Sequence, residues 1–129
     1  MSQGRLISER VINCAFEVSN ILGAGFLEKV YENALCVEFE KAGIRYCRQH
    51  CYEIRYKNKN VGDYVADIVV EDVLLVEIKA LSALTGTHEA QVMNYLRASG
   101  LSVGLLLNFG TPKMKLRRIV WKHDEAERI

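Results

Sequence analysis

Two carboxylates and one lysine stand where the neighbouring residues are mostly apolar. They are Asp67 in Tyr64-Val65-Ala66-Asp67, and Glu77 and Lys79 in Glu77-Ile78-Lys79. Two β-rich runs, residues 64–70 and 74–80, flank Glu71-Asp72-Val73. A three-residue hairpin loop there pairs Val70 with Leu74. Counting back two-for-two then sets Asp67 opposite Glu77 on one face. Lys79 lies two residues further on and joins them, because strand side chains alternate with period two. A two-residue loop would instead separate the acids onto opposite faces unless a bulge intervened. Such groups are costly to bury unpaired. A divalent metal site is the usual reason to tolerate them. Carboxylates suit Mg²⁺ or Mn²⁺, and a lysine stabilises a nucleophilic water or a developing phosphate charge.

The competing reading is an exposed cross-strand ion pair, which is common and worth little. The neighbours argue against it. Val73, Leu75, Val76 and Ile78 leave no polar face except at Glu77 and Lys79. A strand that is apolar until its C-terminal end, then acidic and basic, marks a site at a strand end.

The elements that position these residues follow from periodicity. Ile7, Val11, Cys14, Ala15, Val18, Ile21 and Leu22 recur at helical spacing and predict a helix over residues 6–22, ended by Gly23-Ala24-Gly25. Leu27, Val30, Tyr31, Ala34, Leu35 and Phe39 give a second helix over 27–42, with Gly43 as its C-cap. Strands follow at 46–56, 61–70 and 74–80, the first turn being Asn58-Lys59-Asn60. A third helix covers 87–98 and stops at Gly100; strands at 102–108 and 116–121 flank Gly110-Thr111-Pro112. The polar tail 122–129 reads as mobile or helical. The first three strands suit an antiparallel meander. The strand–helix–strand step to 102–108 suits a parallel crossover. The expected fold class is α/β, a mixed β-sheet flanked by helices.

Composition sets the outer bounds. With 129 residues, half of them hydrophobic, the chain supports one domain with a real core, about residues 6–121. The longest apolar run, residues 101–109, is too short to span a bilayer, and the N-terminus lacks the apolar segment of a signal peptide, so a cytoplasmic setting is expected. A net charge of +1 neither requires nor excludes a polyanionic partner. Lys113, Lys115, Arg117, Arg118 and Lys122 crowd the C-terminal region, as phosphate contacts or as a charged edge strand. Cys47-x-x-His50-Cys51 resembles a zinc cluster, but in a strand Cys47 and Cys51 lie roughly 13 Å apart and His50 faces the other way. Asp63, near a strand start, is a reserve ligand or a turn residue. No phosphate-binding glycine loop, serine elbow or convincing Cys/His pair is present, which disfavours P-loop and acyl-transfer chemistry.

Taken together, the order of elements and motifs resembles the PD-(D/E)xK nuclease superfamily, with its restriction-endonuclease-like core. The closer resemblance is to the GxxExxY family, on Gly25-Phe26-Leu27-Glu28-Lys29-Val30-Tyr31, Val65-Ala66-Asp67, Glu77-Ile78-Lys79 and His88-Glu89-Ala90-Gln91-Val92-Met93-Asn94-Tyr95-Leu96. It covers about residues 5–121. It implies Asp67 and Glu77 as ligands of Mg²⁺ or Mn²⁺, with the Ile78 carbonyl as a third. Lys79 would orient the attacking water or stabilise the transition state. Glu28 would complete the acidic site or hold a second metal, and Gln91 would support the lysine or a substrate phosphate. Ala66 stands where the superfamily's named motif has proline. The implied activity is phosphodiester hydrolysis of nucleic acid, DNA before RNA. The alternative is a non-cleaving nucleic-acid-binding or protein-interaction module. Tyr31 reads chiefly as core, with a hydroxyl able to reach Glu28 or Lys79. His88 is a candidate general base or a solvent-facing helix-start residue. A homodimer is the default arrangement for a small enzyme that cuts two strands.

Overall fold

In the computed structural model, which describes residues 6–129, the elements run α1 (Ile7–Leu22), α2 (Glu28–Ala42), β1 (Tyr46–Tyr56), β2 (Lys59–Val70), β3 (Leu74–Lys79), α3 (Gly86–Ser99), β4 (Val103–Asn108), β5 (Lys115–Val120) and α4 (His123–Ala126). The strands form one sheet in the order β1-β2-β3-β4-β5. β1, β2 and β3 are the antiparallel meander that the sequence predicts. β3 and β4 are parallel across α3, and β5 returns antiparallel to β4. This is the expected mixed α/β sheet.

Two apolar layers sandwich the sheet. Val11, Ala15 and Val18 of α1 and Leu35 and Phe39 of α2 cover one face, against Ile68, Val76, Ile78, Leu105 and Leu107. Val92 and Leu96 of α3 cover the other, against Val69, Leu75, Leu106 and Ile119. β3 and β4 are therefore central and buried on both faces, which is why their sequences are nearly continuous in Leu, Val and Ile. Each such side chain stabilises the fold by about 2 kcal/mol when fully buried.

The turns set the register. Lys57 and Asn58 both adopt left-handed backbone, φ 49° and 65°, so the first hairpin turns on two residues and pairs Tyr56 with Lys59. That is one residue earlier than Asn58-Lys59-Asn60. The second hairpin has the predicted three-residue loop: Glu71 and Asp72 are left-handed, and Val70 pairs with Leu74. The tail contains the short helix α4. Ala126 and Ile129 are buried in the α1–α2 layer, and the Ser8 amide donates to the Ile129 carbonyl at 2.8 Å.

The chain leaving β3 is clamped by β4. The buried Asn108 accepts from the Leu81 amide at 2.9 Å and donates to the Leu81 carbonyl at 2.9 Å. The Gly110 amide donates to the same Asn108 oxygen at 3.1 Å. A Cβ on Gly110 would lie 2.2 Å from the Leu81 carbonyl oxygen and 2.3 Å from its nitrogen, so no side chain fits there. Backbone cannot yield as a flexible side chain can. Gly110→Ala should therefore lower stability by about 2 kcal/mol or more, read as a fall in the thermal midpoint. An unchanged midpoint would mean that the close approach is not required.

Candidate active site

The site lies where β2 parts from β3. Ladder pairing between them ends at Ile68 and Val76. One residue further out, side chains take over the backbone bonds. The Asp67 amide donates to Glu77 Oε2 at 3.0 Å, and the Ile78 amide donates to Asp67 Oδ2 at 2.8 Å. Each acid thus bonds to backbone on the opposite strand. The Tyr64 hydroxyl donates to the same Glu77 Oε2 at 2.6 Å. The predicted hairpin register holds and brings Asp67 and Glu77 together, but simple alternation does not continue past them. Tyr64 and Ala66 belong to the α3-side layer, whereas Ile68 belongs to the α1–α2 layer. The even-numbered residues therefore change face at Asp67. β1 turns at the same level, where Gln49 has φ 52°. Arg48 there reaches Glu32 of α2, whereas Tyr52 packs in the α3-side layer.

That turn overturns one expectation. His50 does not face away from Cys47; its Nδ1 lies 3.8 Å from Cys47 Sγ, because the positive φ at Gln49 breaks the alternation. Cys51 is exposed, all four cysteines are free, and among the described residues no three His, Cys, Asp or Glu side chains converge on one metal position.

Burial governs the electrostatics. Glu77 is 7% exposed, and desolvation, then the neighbouring Asp67 charge, push its pKa up to about 7. The bonds from Tyr64 and the Asp67 amide, and the charge of Lys79, oppose that rise. Asp67 is also raised, first by desolvation; the Ile78 amide and Lys79 pull it down, while Glu32 and Glu28 push it up. The Tyr64 hydroxyl is held protonated by burial and by Glu77.

The other predicted residues are placed differently. Glu28 opens α2, is exposed and makes no hydrogen bond among the described residues, although its charge is felt at Asp67. Lys79 is half-buried at the end of β3, opposite Asn108, and forms no salt bridge among the described residues. Gln91 is exposed on α3 and lines a cleft with Tyr95. His88 is a cap: its Nδ1 accepts from the Thr85 amide at 3.0 Å at the start of α3, which occupies the nitrogen a general base would use. Asp63 lies out in the hairpin opposite Glu53, bonded to Asn60 at 3.2 Å, away from the pair. Tyr31 reaches neither Glu28 nor Lys79. Its hydroxyl donates to the Gly23 carbonyl at 2.7 Å and accepts from the Phe26 amide at 3.2 Å, pinning the turn before α2, and its ring stacks on Phe109. Of the basic C-terminal run, Lys115, Arg117 and Arg118 lie on the edge strand β5, with Arg117 paired to Glu89 at 3.1 Å, and Lys113 and Lys122 flank it.

Three contributors went unread in the sequence. Glu32 is 4% exposed and bonds Arg48, Lys29 and Gln49. It lies one helical turn after Glu28, so the i,i+4 spacing pointed to it. Tyr64 and Asn108 look like ordinary strand residues, and only the fold reveals their partners.

The donor set fits a hard divalent cation. One oxygen of each acid is pinned, Glu77 Oε2 and Asp67 Oδ2. Glu77 Oε1 and Asp67 Oδ1 have no hydrogen-bond partner among the described residues, and neither is fully shut off from solvent. Two fixed carboxylates, each with a free oxygen, suit a divalent cation that prefers oxygen ligands.

A family model described as the PD-(D/E)XK nuclease superfamily matches residues 5–119. No curated protein matches the sequence. Among solved structures, the crystal structure of SSO0001 is similar in fold, with a TM-score of 0.56 at 22% identity over 93% of this chain. The chain spans only 60% of that protein.

The raised acids make stability depend on pH. Between about pH 4.5 and 7, Glu77 keeps a proton in the folded chain that it loses in the unfolded one. Its contribution is complete below pH 4.5 and is lost as pH rises through 7, a fall on the order of 3 kcal/mol. Metal-free protein should thus be easier to unfold in urea at pH 8 than at pH 5, and Glu77→Gln should flatten that slope. The same slope in the variant would remove Glu77 as its source.

Proposed function

We propose that this chain, which belongs to the PD-(D/E)XK nuclease superfamily, is a Mg²⁺- or Mn²⁺-dependent phosphodiesterase that cleaves nucleic acid, with DNA the preferred substrate. The observation that carries this reading is the reciprocal lock between Asp67 and Glu77, which leaves on each acid one oxygen without a partner among the described residues, near a lysine that forms no salt bridge among them. Asp67, Glu77 and the Ile78 carbonyl would hold the cation, and Glu28, which does not converge with the two acids in this arrangement, would turn in to complete the shell or bind a second ion. When bound, the cation supplies Lewis acidity to the phosphate and lowers the pKa of its water.

The remaining roles fall to the chain. Tyr64 and the Asp67 amide hold Glu77 in one orientation, so its free oxygen needs no reorganisation. The Lys79 ammonium stabilises charge that develops on the phosphate and the departing oxygen. Gln91 hydrogen-bonds a phosphate oxygen or the lysine. Glu77 would have to give up the proton it keeps below about pH 7 to hold a cation, so binding would strengthen as pH rises. Within the superfamily, Gly25, Glu28 and Tyr31 support assignment to the GxxExxY family, because Tyr31 fastens the turn from which Glu28 projects. We place the activity in the cytoplasm, where the exposed Cys47 and Cys51 persist as thiols. Among the described residues, no helix is long and apolar enough to cross a membrane.

The test is cleavage of labelled DNA and RNA with Mg²⁺ or Mn²⁺. Lys79→Ala and Asp67→Asn should each lower the rate by about a hundredfold or more, with circular dichroism unchanged, and EDTA should abolish it. Cutting retained in both variants would detach activity from this site. No cutting together with no metal binding by calorimetry would favour the non-cleaving binding module.

A further inference from the structure

Beyond Asp67, β1 and β2 continue as a two-stranded ribbon with no third strand among the described residues, where β3 pairs with Ile68, Val69 and Val70 of β2. The ribbon stands across from α3, and between them lies a cleft of about 720 Å³. We propose that this cleft binds an unpaired nucleotide of a single-stranded segment, seating its base on Tyr95 beside the candidate active site. The inference takes its ligand class from the nuclease reading above and adds the strand form.

The lining carries the argument. Ile54 and Arg55 come from the ribbon, and Gln91, Asn94, Tyr95 and Arg97 from α3. Tyr95 is stacked on Tyr64, with centroids 3.6 Å apart and planes at 11°, and Tyr64 lies parallel to Tyr52 at 6.2 Å and 14°. Three nearly parallel rings thus lead up to the cleft, and an aromatic guest on Tyr95 extends the series. Asn94 and Gln91 offer amide donors and acceptors of the kind that base edges pair with. Arg97 makes no salt bridge among the described residues and is open to a phosphate, whereas Arg55 is held by Glu53 at 2.8 Å. Paired, stacked bases present no free face to a tyrosine, so a duplex cannot use this lining; an unpaired base can. The volume lies within the range of small-ligand sites. Tyr64 underlies Tyr95 and also bonds Glu77, so two stacked rings, Tyr95 and Tyr64, link the cleft to the carboxylate.

Fluorescence anisotropy in EDTA, with labelled oligothymidylate and a blunt duplex of equal length, tests the inference. Wild type should bind the single strand about tenfold more tightly than the duplex. Ala98→Trp fills the cleft from α3, and Arg97→Ala removes an exposed cation; each should weaken single-strand binding, with about a tenfold loss for Ala98→Trp. Equal affinity for both forms, or single-strand binding unchanged in both variants, overturns the proposal. Incubating the same DNAs with Mn²⁺ separates it from the nuclease reading. Cleft-dependent single-strand binding without cleavage sinks the nuclease and leaves this inference standing. Single-strand cleavage at a rate that Ala98→Trp leaves unchanged sinks this inference and leaves the nuclease.

Discussion

The arrangement of this site depends on the exchange of backbone bonds for carboxylate bonds where β2 leaves β3. A sheet that simply ended there would leave the Asp67 and Ile78 amides unpaired in a desolvated place, at about 1–3 kcal/mol each. Glu77 and Asp67 satisfy them, each reaching across to the other strand. The same two bonds that close the split also fix both acids. Fold and site are therefore one construction, and the acids do structural work before any ligand arrives. That work conflicts with their charge, because burial drives both toward the protonated form.

How much of this was legible in the sequence differs by element. The register was, because a three-residue loop and period-two alternation leave little freedom between Asp67 and Glu77. The helices were, within a residue or two, because their apolar stripes and glycine caps are local signals. The change of face at Gln49 and Asp67 was not. On β1 it goes with a positive φ at a glutamine, which no local pattern announces, and on β2 it shows only in which layer Ala66 and Ile68 join. The misplacement of His50 has the same origin. Nor was the part played by Asn108, whose partner Leu81 lies 27 residues away, or that of Gly110, which read as a strand breaker but is required by a backbone contact.

The α2 side of the site follows from one hydroxyl. Tyr31 binds the Gly23 carbonyl and the Phe26 amide, and its ring packs on Phe109 next to the Asn108 clamp. The glycine–glutamate–tyrosine spacing thus has a mechanical reading. Gly25, at φ 115°, supplies the bend, Tyr31 holds it, and Glu28 is carried on the first turn of the helix so aimed. One turn later Glu32 ties Arg48 and Gln49, anchoring the root of the ribbon to the helix.

The ribbon is in effect a cantilever. Its root is fixed by Glu32, and its outer span carries Tyr64, whereas the acid that Tyr64 orients belongs to the central strand. The alignment of Glu77 is therefore referenced partly to an overhanging arm and not wholly to the packed core. A load that bends the arm reaches that carboxylate through the Tyr64 hydroxyl, and at the arm's root through the Asp67 amide.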